Sequence, residues 1–120
     1  MIRYINCFRK LPDISIEDFR DYWQGAEFSD LVKKVATLTG ARRYEKSLTL
    51  QVSMGNLLIS DRGLASPYDG ILEYYWDNAN HLAGIYETAE AEALLQQVQR
   101  FQSQFIDLAN STAFFTEHEE

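Results

Sequence analysis

The stretch Tyr-Asp-Gly-Ile-Leu-Glu-Tyr-Tyr-Trp, residues 68–76, decides the fold. Its length and its aromatic and β-branched residues predict a β-strand. Both alternating sets of side chains are largely apolar: Leu72, Tyr74 and Trp76 on one side, Ile71, Glu73 and Tyr75 on the other. A strand of this composition needs cover on both of its faces.

Three other segments alternate between apolar and polar residues, which predicts further strands at 2–9, 41–52 and 112–116. Between the first two, apolar residues recur at steps of three and four, which is typical of an amphipathic helix. Ser15 is its expected N-cap, and Gly40 is expected to end it. Its apolar positions are Ile16, Phe19, Trp23, Ala26 or Glu27, Leu31, Val35 and Leu38.

The C-terminal half predicts two more helical segments. The first is capped by Asp77 or Asn78 and runs through Tyr86. The second is long, with an apolar stripe made of Ala91, Leu94, Leu95, Val98, Phe101, Phe105 and Leu108. The resulting order, β-α-β-β-α-β, predicts an α+β, ferredoxin-like fold: a four-stranded antiparallel sheet with two helices on one face.

Helices on one face leave the other face of the sheet open. Because the strand at 68–76 is apolar on both faces, we expect a second copy to cover the open face, which predicts a homodimer through the sheet faces. The connection 53–67 contains Leu57-Leu58-Ile59, too apolar for a solvated loop, so this segment is also expected to pack on something.

Length and composition predict one domain spanning 1–120. The chain is 46% hydrophobic and 13% aromatic with only two Pro and six Gly, enough to build one core. No stretch approaches the roughly 18 apolar residues of a membrane span. The first residues also lack the apolar region of a signal peptide, so a cytoplasmic protein with no membrane partner is expected.

Charge and cysteine content exclude several classes of function. Residues 1–60 carry nine Lys or Arg against seven Asp or Glu, whereas residues 61–120 carry two against eleven. An acidic half of this kind repels phosphate backbones, so no nucleic-acid partner is expected. Cys7 is the single cysteine, and no Cys/His cluster has the spacing of metal ligands, so neither an internal disulfide nor a metal site is predicted.

The sequence resembles the EthD domain family, within the larger group of dimeric α+β barrel proteins. The segment Phe19-Arg20-Asp21-Tyr22-Trp23 is similar to that family's F-x-x-Y-W signature. The other matching segments are Phe8-Arg9-Lys10, Gly40 to Tyr44, Tyr68 to Glu73 and Phe114 to Glu117. The resemblance implies a homodimer with a small-molecule pocket between sheet and helices in each subunit.

The resemblance also implies a class of chemistry. The family is named from a gene cluster for ethyl tert-butyl ether degradation, and its members are often labelled oxidoreductases. Relatives in the wider group are cofactor-free isomerases, cyclases, decarboxylases and monooxygenases, so no cofactor is expected. Family members commonly carry a His four residues after the signature Trp, whereas this chain has Glu27 there.

Two carboxylates are candidate catalytic groups. Glu27 lies four residues from both Trp23 and Leu31, so on a continuous helix it shares their apolar face, where desolvation would raise its pKa and suit a general base. Alternatively, it lies at the edge of the stripe with its carboxylate in water. Glu73 either lines the same pocket or pairs with Arg3, Arg42 or Arg43 across the sheet. The alternation pattern does not decide which face of the sheet Glu73 takes.

Candidate ligand-binding residues combine apolar surface with a polar group that can orient a ligand: Asn6, Trp23, Tyr44 and Tyr75. Each of them could instead be part of the core. Two functions follow. One is a cofactor-independent enzyme that acts on a small apolar, cyclic or aromatic compound by proton transfer or oxidation. The alternative is a non-enzymatic homodimer that binds a ligand or serves as an accessory protein.

Overall fold

Over residues 1–118, which the computed structural model describes, one antiparallel sheet carries helices on one face. The strands are β1 (Ile2–Phe8), β2 (Arg43–Leu48), β3 (Gly70–Trp76) and β4 (Thr112–Glu117). The helices are α1 (Ile16–Gln24), α2 (Ala26–Thr39), α3 (Ser53–Arg62), α4 (Leu82–Tyr86) and α5 (Ala89–Gln102), followed by a 3₁₀ turn at Leu108–Asn110. This arrangement confirms the predicted ferredoxin-like fold. Within the described range, no helix is long and apolar enough to cross a membrane.

The sheet has the strand order β2-β3-β1-β4, which puts β1 and β3 at its centre. Tyr4 of β1 pairs with Tyr74 of β3, and on the other side of β1 Asn6 pairs with Ala113 of β4. Because side chains alternate along a strand, Tyr4, Asn6 and Tyr74 share the face that carries the helices. Glu73 and its neighbours in register occupy the opposite, outer face.

Stacked aromatic rings fill the core between the sheet and the helices. Phe19, Phe28 and Phe105 are fully buried, and the Phe28 and Phe105 ring centroids lie 5.4 Å apart in an edge-to-face arrangement. Trp23 lies 5.7 Å from Phe19 and 5.2 Å from Phe28. The predicted inward positions Phe19 and Trp23 are therefore confirmed.

The first helical region is broken at Gly25, where one continuous helix was expected. Gly25 is extended, with φ −69° and ψ 157°, and it ends α1 and begins α2. The break leaves the Trp23 carbonyl oxygen at the end of α1, and Lys46 of β2 donates to it at 2.6 Å. Because the break changes the helical phase, Phe28 rather than Glu27 points into the core.

The connection after β2 also differs from expectation. The second strand ends at Leu48 rather than near residue 52, and the connection contains α3. The apolar residues of this region remain on its surface, and α3 has no buried residue. Residues 53–67 therefore do not pack into the core of the described chain, and the expectation that they pack on something stays a prediction.

The C-terminal helices begin and end at different places from those predicted. The shorter helix begins at Leu82, several residues after the expected cap, and the longer helix ends at Gln102 rather than near Leu108. Phe105 is still fully buried because the chain turns after α5 and Leu11 donates its amide to the Phe105 carbonyl at 3.0 Å. Of the predicted stripe, Phe105 thus lies in the core beyond the helix, whereas Leu95 and Leu108 are exposed.

Candidate functional site

A cavity of about 380 Å³ lies between the helix-bearing face of the sheet and α5. Its volume falls within the usual range for small-molecule sites, roughly 300–1,000 Å³. The apolar part of its wall includes Phe8, Val35, Leu72, Trp76, Leu95 and Val98. The polar part includes Tyr4, Asn6, Tyr74, Tyr86, Gln99 and Gln102. The cavity therefore combines apolar surface with neutral hydrogen-bonding groups.

Asn6 is the most buried amide of this wall. It lies in the central strand, is 8% exposed, and its Nδ2 donates to the Leu72 carbonyl oxygen at 3.2 Å. This hydrogen bond fixes the orientation of the carboxamide. Among residues 1–118, no hydrogen bond reaches the Asn6 Oδ1 atom, so it remains an available acceptor at the cavity.

Three phenols are among the hydrogen-bond donors of the wall. Burial raises the pKa of Tyr4, Tyr74 and Tyr86, and for Tyr74 the neighbouring phenols raise it further. All three side chains are therefore neutral and protonated across the physiological range. They can donate hydrogen bonds to a ligand oxygen but cannot act as bases near neutral pH.

The lining residues carry no formal charge. Among the described residues that line the cavity, none is Asp, Glu, Lys, Arg or His. The described part of the chain also holds no group of three His, Cys, Asp or Glu side chains that could bind a metal ion. The cavity is thus a neutral site, suited to hydrogen bonding and apolar contact.

Glu27 lies outside this cavity. It is exposed in the first turn of α2, and the break at Gly25 removes it from the apolar face that it would occupy on a continuous helix. The expectation that Glu27 lies on the apolar face of a continuous helix, where desolvation would make it a base, is therefore wrong. Of the two alternatives, the solvated carboxylate is the one that is found.

Glu73 lies on the outer face of the sheet. The alternation pattern of its strand could not decide which face Glu73 takes. Its carboxylate is 3.8 Å from the Arg3 guanidinium and accepts a hydrogen bond from the Tyr75 hydroxyl at 3.0 Å. The Arg43 guanidinium covers the Tyr75 ring at 4.1 Å from its centroid, which leaves Tyr75 2% exposed. Glu73 and Tyr75 thus form a polar cluster on the face opposite the cavity.

The remaining candidates are divided between cavity, core and edge. Asn6 lines the cavity, and its ligand-binding role stays a prediction, whereas Trp23 is a core residue against Gly70. Tyr44 is 40% exposed on the edge strand β2, with its ring 6.5 Å from Tyr74. The structure therefore does not bring the predicted set together in one site.

Several cavity residues were not identified from the sequence. Tyr4 and Tyr74 share the face of Asn6, and Gln99 and Gln102 lie three residues apart on α5. Polar glutamines within the apolar stripe of a helix are the signal that could have indicated a cavity on that side.

A second, larger groove of about 540 Å³ lies between α2 and α5 on the outside of the helix layer. Unlike the cavity, it is lined by charges of both signs, including Asp30, Lys33, Lys34 and Glu90. Its position on the surface of the helix layer and its mixed charges distinguish it from the neutral cavity, which is itself open to solvent at Leu95, Leu108 and Ala113.

Comparison with protein families identifies the relatives of this chain. The model of the EthD domain matches residues 11–108. The chain belongs to the EthD family. No curated protein sequence matches this EthD chain.

Solved structures share the fold at low sequence identity. An EthD family protein from Bacillus halodurans has a TM-score of 0.61 and 16% identity, with 99% of this chain and 100% of that chain covered. A dimeric ferredoxin-like protein of unknown function from Bacteroides fragilis has a TM-score of 0.61 and 12% identity, over 98% and 95% of the two chains. SnoaB from Streptomyces nogalater, a cofactor-independent oxygenase, has a TM-score of 0.58 and 8% identity, over 99% and 93%. These similarities establish the fold.

Proposed function

We propose that this EthD protein binds a small, largely apolar, ring-containing organic compound in the cavity between the sheet and α5. The observation that carries the proposal is the composition of the cavity wall, which joins aliphatic and aromatic surface to a few neutral polar groups. A wall of this composition can bury the ring of a ligand, and its few polar groups can orient one or two polar substituents on that ring. Ionic ligands lack a partner among the described lining residues.

A larger side chain on the edge strand β4 tests whether the ligand occupies the cavity. Ala113 pairs with Asn6 in the sheet and lines the cavity, so Ala113→Leu places a larger side chain beside Asn6. Ala109→Leu is the matched control, because Ala109 is exposed in the 3₁₀ turn and does not line the cavity. Calorimetry with substituted benzenes and naphthalenes should show at least about tenfold weaker binding to Ala113→Leu. Equal affinity for Ala113→Leu, Ala109→Leu and wild type would contradict the proposal.

Conversion of the bound compound without a cofactor is the second candidate function. Its support is the structural similarity to SnoaB, which is described as a cofactor-independent oxygenase. The cavity offers phenol donors and amides rather than a carboxylate or imidazole base, so it favours binding over proton abstraction. Product analysis and oxygen consumption with each tight-binding compound separate the two functions: turnover supports an enzyme, and binding without turnover supports the non-enzymatic alternative.

We further propose a homodimer through the outer face of the sheet. The related structure from Bacteroides fragilis is described as dimeric. On the outer face of this chain, Phe114 is 45% exposed, and the buried Arg3 Nε and Thr116 Oγ1 atoms have no hydrogen-bond partner among the described residues. A second copy would cover the Phe114 ring and supply hydrogen-bond partners for the Arg3 Nε and Thr116 Oγ1 atoms. The interface would bury at least about 1,000 Å².

Sedimentation tests the dimer. Wild type should sediment at twice the chain mass of 13.9 kDa at micromolar concentration. Phe114→Lys places a charge on the outer face and should shift the protein to the monomer. Ala93→Lys, on the exposed side of α5, is the control and should leave the dimer intact. A wild-type monomer would overturn this proposal.

A further inference from the structure

We infer that the cavity selects ring compounds that carry an uncharged hydroxyl group, binds that hydroxyl through the Asn6 Oδ1 atom, and rejects the anions of the same compounds. The inference rests on the proposed function and deepens it, because it names the chemical form of the ligand. Among otherwise similar ring compounds, the cavity would bind those with an uncharged hydroxyl group and exclude those with an ionised one.

The first support is the fixed orientation of Asn6. Its side chain is 8% exposed in the central strand, and the bond from Nδ2 to the Leu72 carbonyl occupies its donor side. The Oδ1 atom has no partner among residues 1–118, although Asn6 lines the cavity. The Oδ1 atom is not one of the buried polar atoms that lack a partner, so water can reach it from the cavity, and a ligand O–H group would replace that water.

The second support is the set of donors that shares the cavity with Asn6. Tyr4 and Tyr74 flank Asn6 on the same face of the sheet, one on its own strand and one on β3. Their hydroxyl groups can donate to the oxygen of a ligand whose O–H group donates to Asn6. A hydroxyl group both donates and accepts, so it fits this combination better than an ether or a halogen.

The third support is the charge of the surroundings. The titratable groups that face the cavity are Tyr4 from β1, Tyr74 from β3 and Tyr86 from α4. The described lining residues of β4, α2, α5 and the 3₁₀ turn are neutral, so no cation compensates an anion. Burial of these three phenols raises their pKa, and a phenolate bound among the same neutral lining residues would also lose hydration without gaining a cation.

The test uses para-nitrophenol, whose anion is yellow and whose neutral form is not, together with its methyl ether para-nitroanisole. At a pH where both forms of the phenol are present in solution, adding wild-type protein should bleach the yellow colour. The neutral form should bind at least about tenfold more tightly than the anion. Nitrophenol should also bind about tenfold more tightly than nitroanisole in acidic solution, because the ether lacks the donor for Asn6.

The variant Asn6→Leu removes the acceptor at similar volume. It should bind the two compounds with equal affinity, because the hydroxyl group loses its partner. Should Asn6→Leu fail to fold, the bleaching of wild-type solutions and the tighter binding of nitrophenol than of nitroanisole still decide the inference. Binding of nitrophenol without bleaching, or with a deeper yellow colour, would overturn the inference and leave the proposed function standing. Binding of neither compound to the wild-type cavity would overturn both.

Discussion

The indole ring of Trp23 packs directly on the backbone of Gly70. A Cβ atom at residue 70 would lie 2.7 Å from Trp23 Cη2 and 2.8 Å from Cζ3, closer than atoms in contact can approach. Gly70 is buried at the start of β3, and Trp23 is 2% exposed at the end of α1. The absence of a side chain at Gly70 therefore determines how closely the first helix approaches the sheet.

The variant Gly70→Ala should be destabilised by about 1–3 kcal/mol, because the rigid indole cannot move without disturbing the aromatic core. Gly84→Ala is the matched control, since Gly84 is exposed in α4 and its added Cβ meets nothing within 4 Å. That control should be neutral or stabilised by up to about 1 kcal/mol. Urea unfolding measures both, and equal stability of the two variants would contradict the packing seen at Gly70.

Sequence patterns predicted the faces of the sheet well. Alternation placed Leu72, Tyr74 and Trp76 together on one side of β3, and these residues lie in the core. Alternation alone could not decide whether Glu73 lies towards the helices or away from them, because both sets in this strand are largely apolar. That choice depends on which set meets the helices, a tertiary contact.

The helix break and the place of Tyr4 and Tyr74 in the cavity wall could not be predicted from local patterns. The apolar spacing continues through Gly25, and the break is accommodated by Lys46, which comes from a strand later in the chain. Tyr4 and Tyr74 have the pattern of core residues. Whether they line a cavity depends on the position of α5 relative to the sheet, which the alternation in their own strands does not indicate.

Lys46 should stabilise the junction between α1 and α2. Its Nζ atom donates to the Trp23 carbonyl at 2.6 Å and to the Ser29 hydroxyl at 2.9 Å, and it lies 5.2 Å from the centroid of the Phe28 ring. Lys46→Met keeps the apolar stem but leaves the Trp23 carbonyl without this donor. We expect a loss of about 1–3 kcal/mol in the free energy of unfolding.

Lys34→Met provides the comparison for Lys46→Met, because Lys34 is exposed on α2. Its removal should change stability by less than about 0.5 kcal/mol. Guanidinium unfolding curves that give the same midpoint for both variants would show that Lys46 does not support the helix junction.

The buried phenols should make the fold sensitive to alkaline pH. Burial raises the pKa of Tyr4, Tyr74 and Tyr86, whereas in the unfolded chain tyrosines ionise near pH 10. Above that pH the unfolded chain releases protons that the folded chain retains, so the free energy of unfolding decreases as pH rises. Below that pH the contribution of these groups to stability is complete and constant.

Tyr74→Phe tests this pH dependence, because Tyr74 is 5% exposed. Between about pH 10 and pH 11, its stability should decrease less steeply than that of wild type, by up to about 1.4 kcal/mol per pH unit. Near neutral pH the two proteins should show the same slope. Parallel curves for wild type and Tyr74→Phe above pH 10 would show that the Tyr74 phenol ionises as easily in the folded protein as in the unfolded chain.

Glu27→Gln separates the cavity from the carboxylate that the sequence favoured for catalysis. Glu27 is exposed in the first turn of α2, where a negative charge interacts favourably with the helix dipole. The variant should therefore lose only about 0.3–1 kcal/mol of stability. It should bind ring compounds as tightly as wild type, because Glu27 does not line the cavity. Asn6→Leu, which alters the wall itself, should weaken the binding of hydroxyl-bearing compounds.

The turnover of any substrate that is found tests the Glu27 carboxylate directly. A decrease of roughly 10²–10⁴-fold in Glu27→Gln, with unchanged affinity, is typical of a lost proton-transfer group. That result would place the reaction near the start of α2 rather than in the cavity.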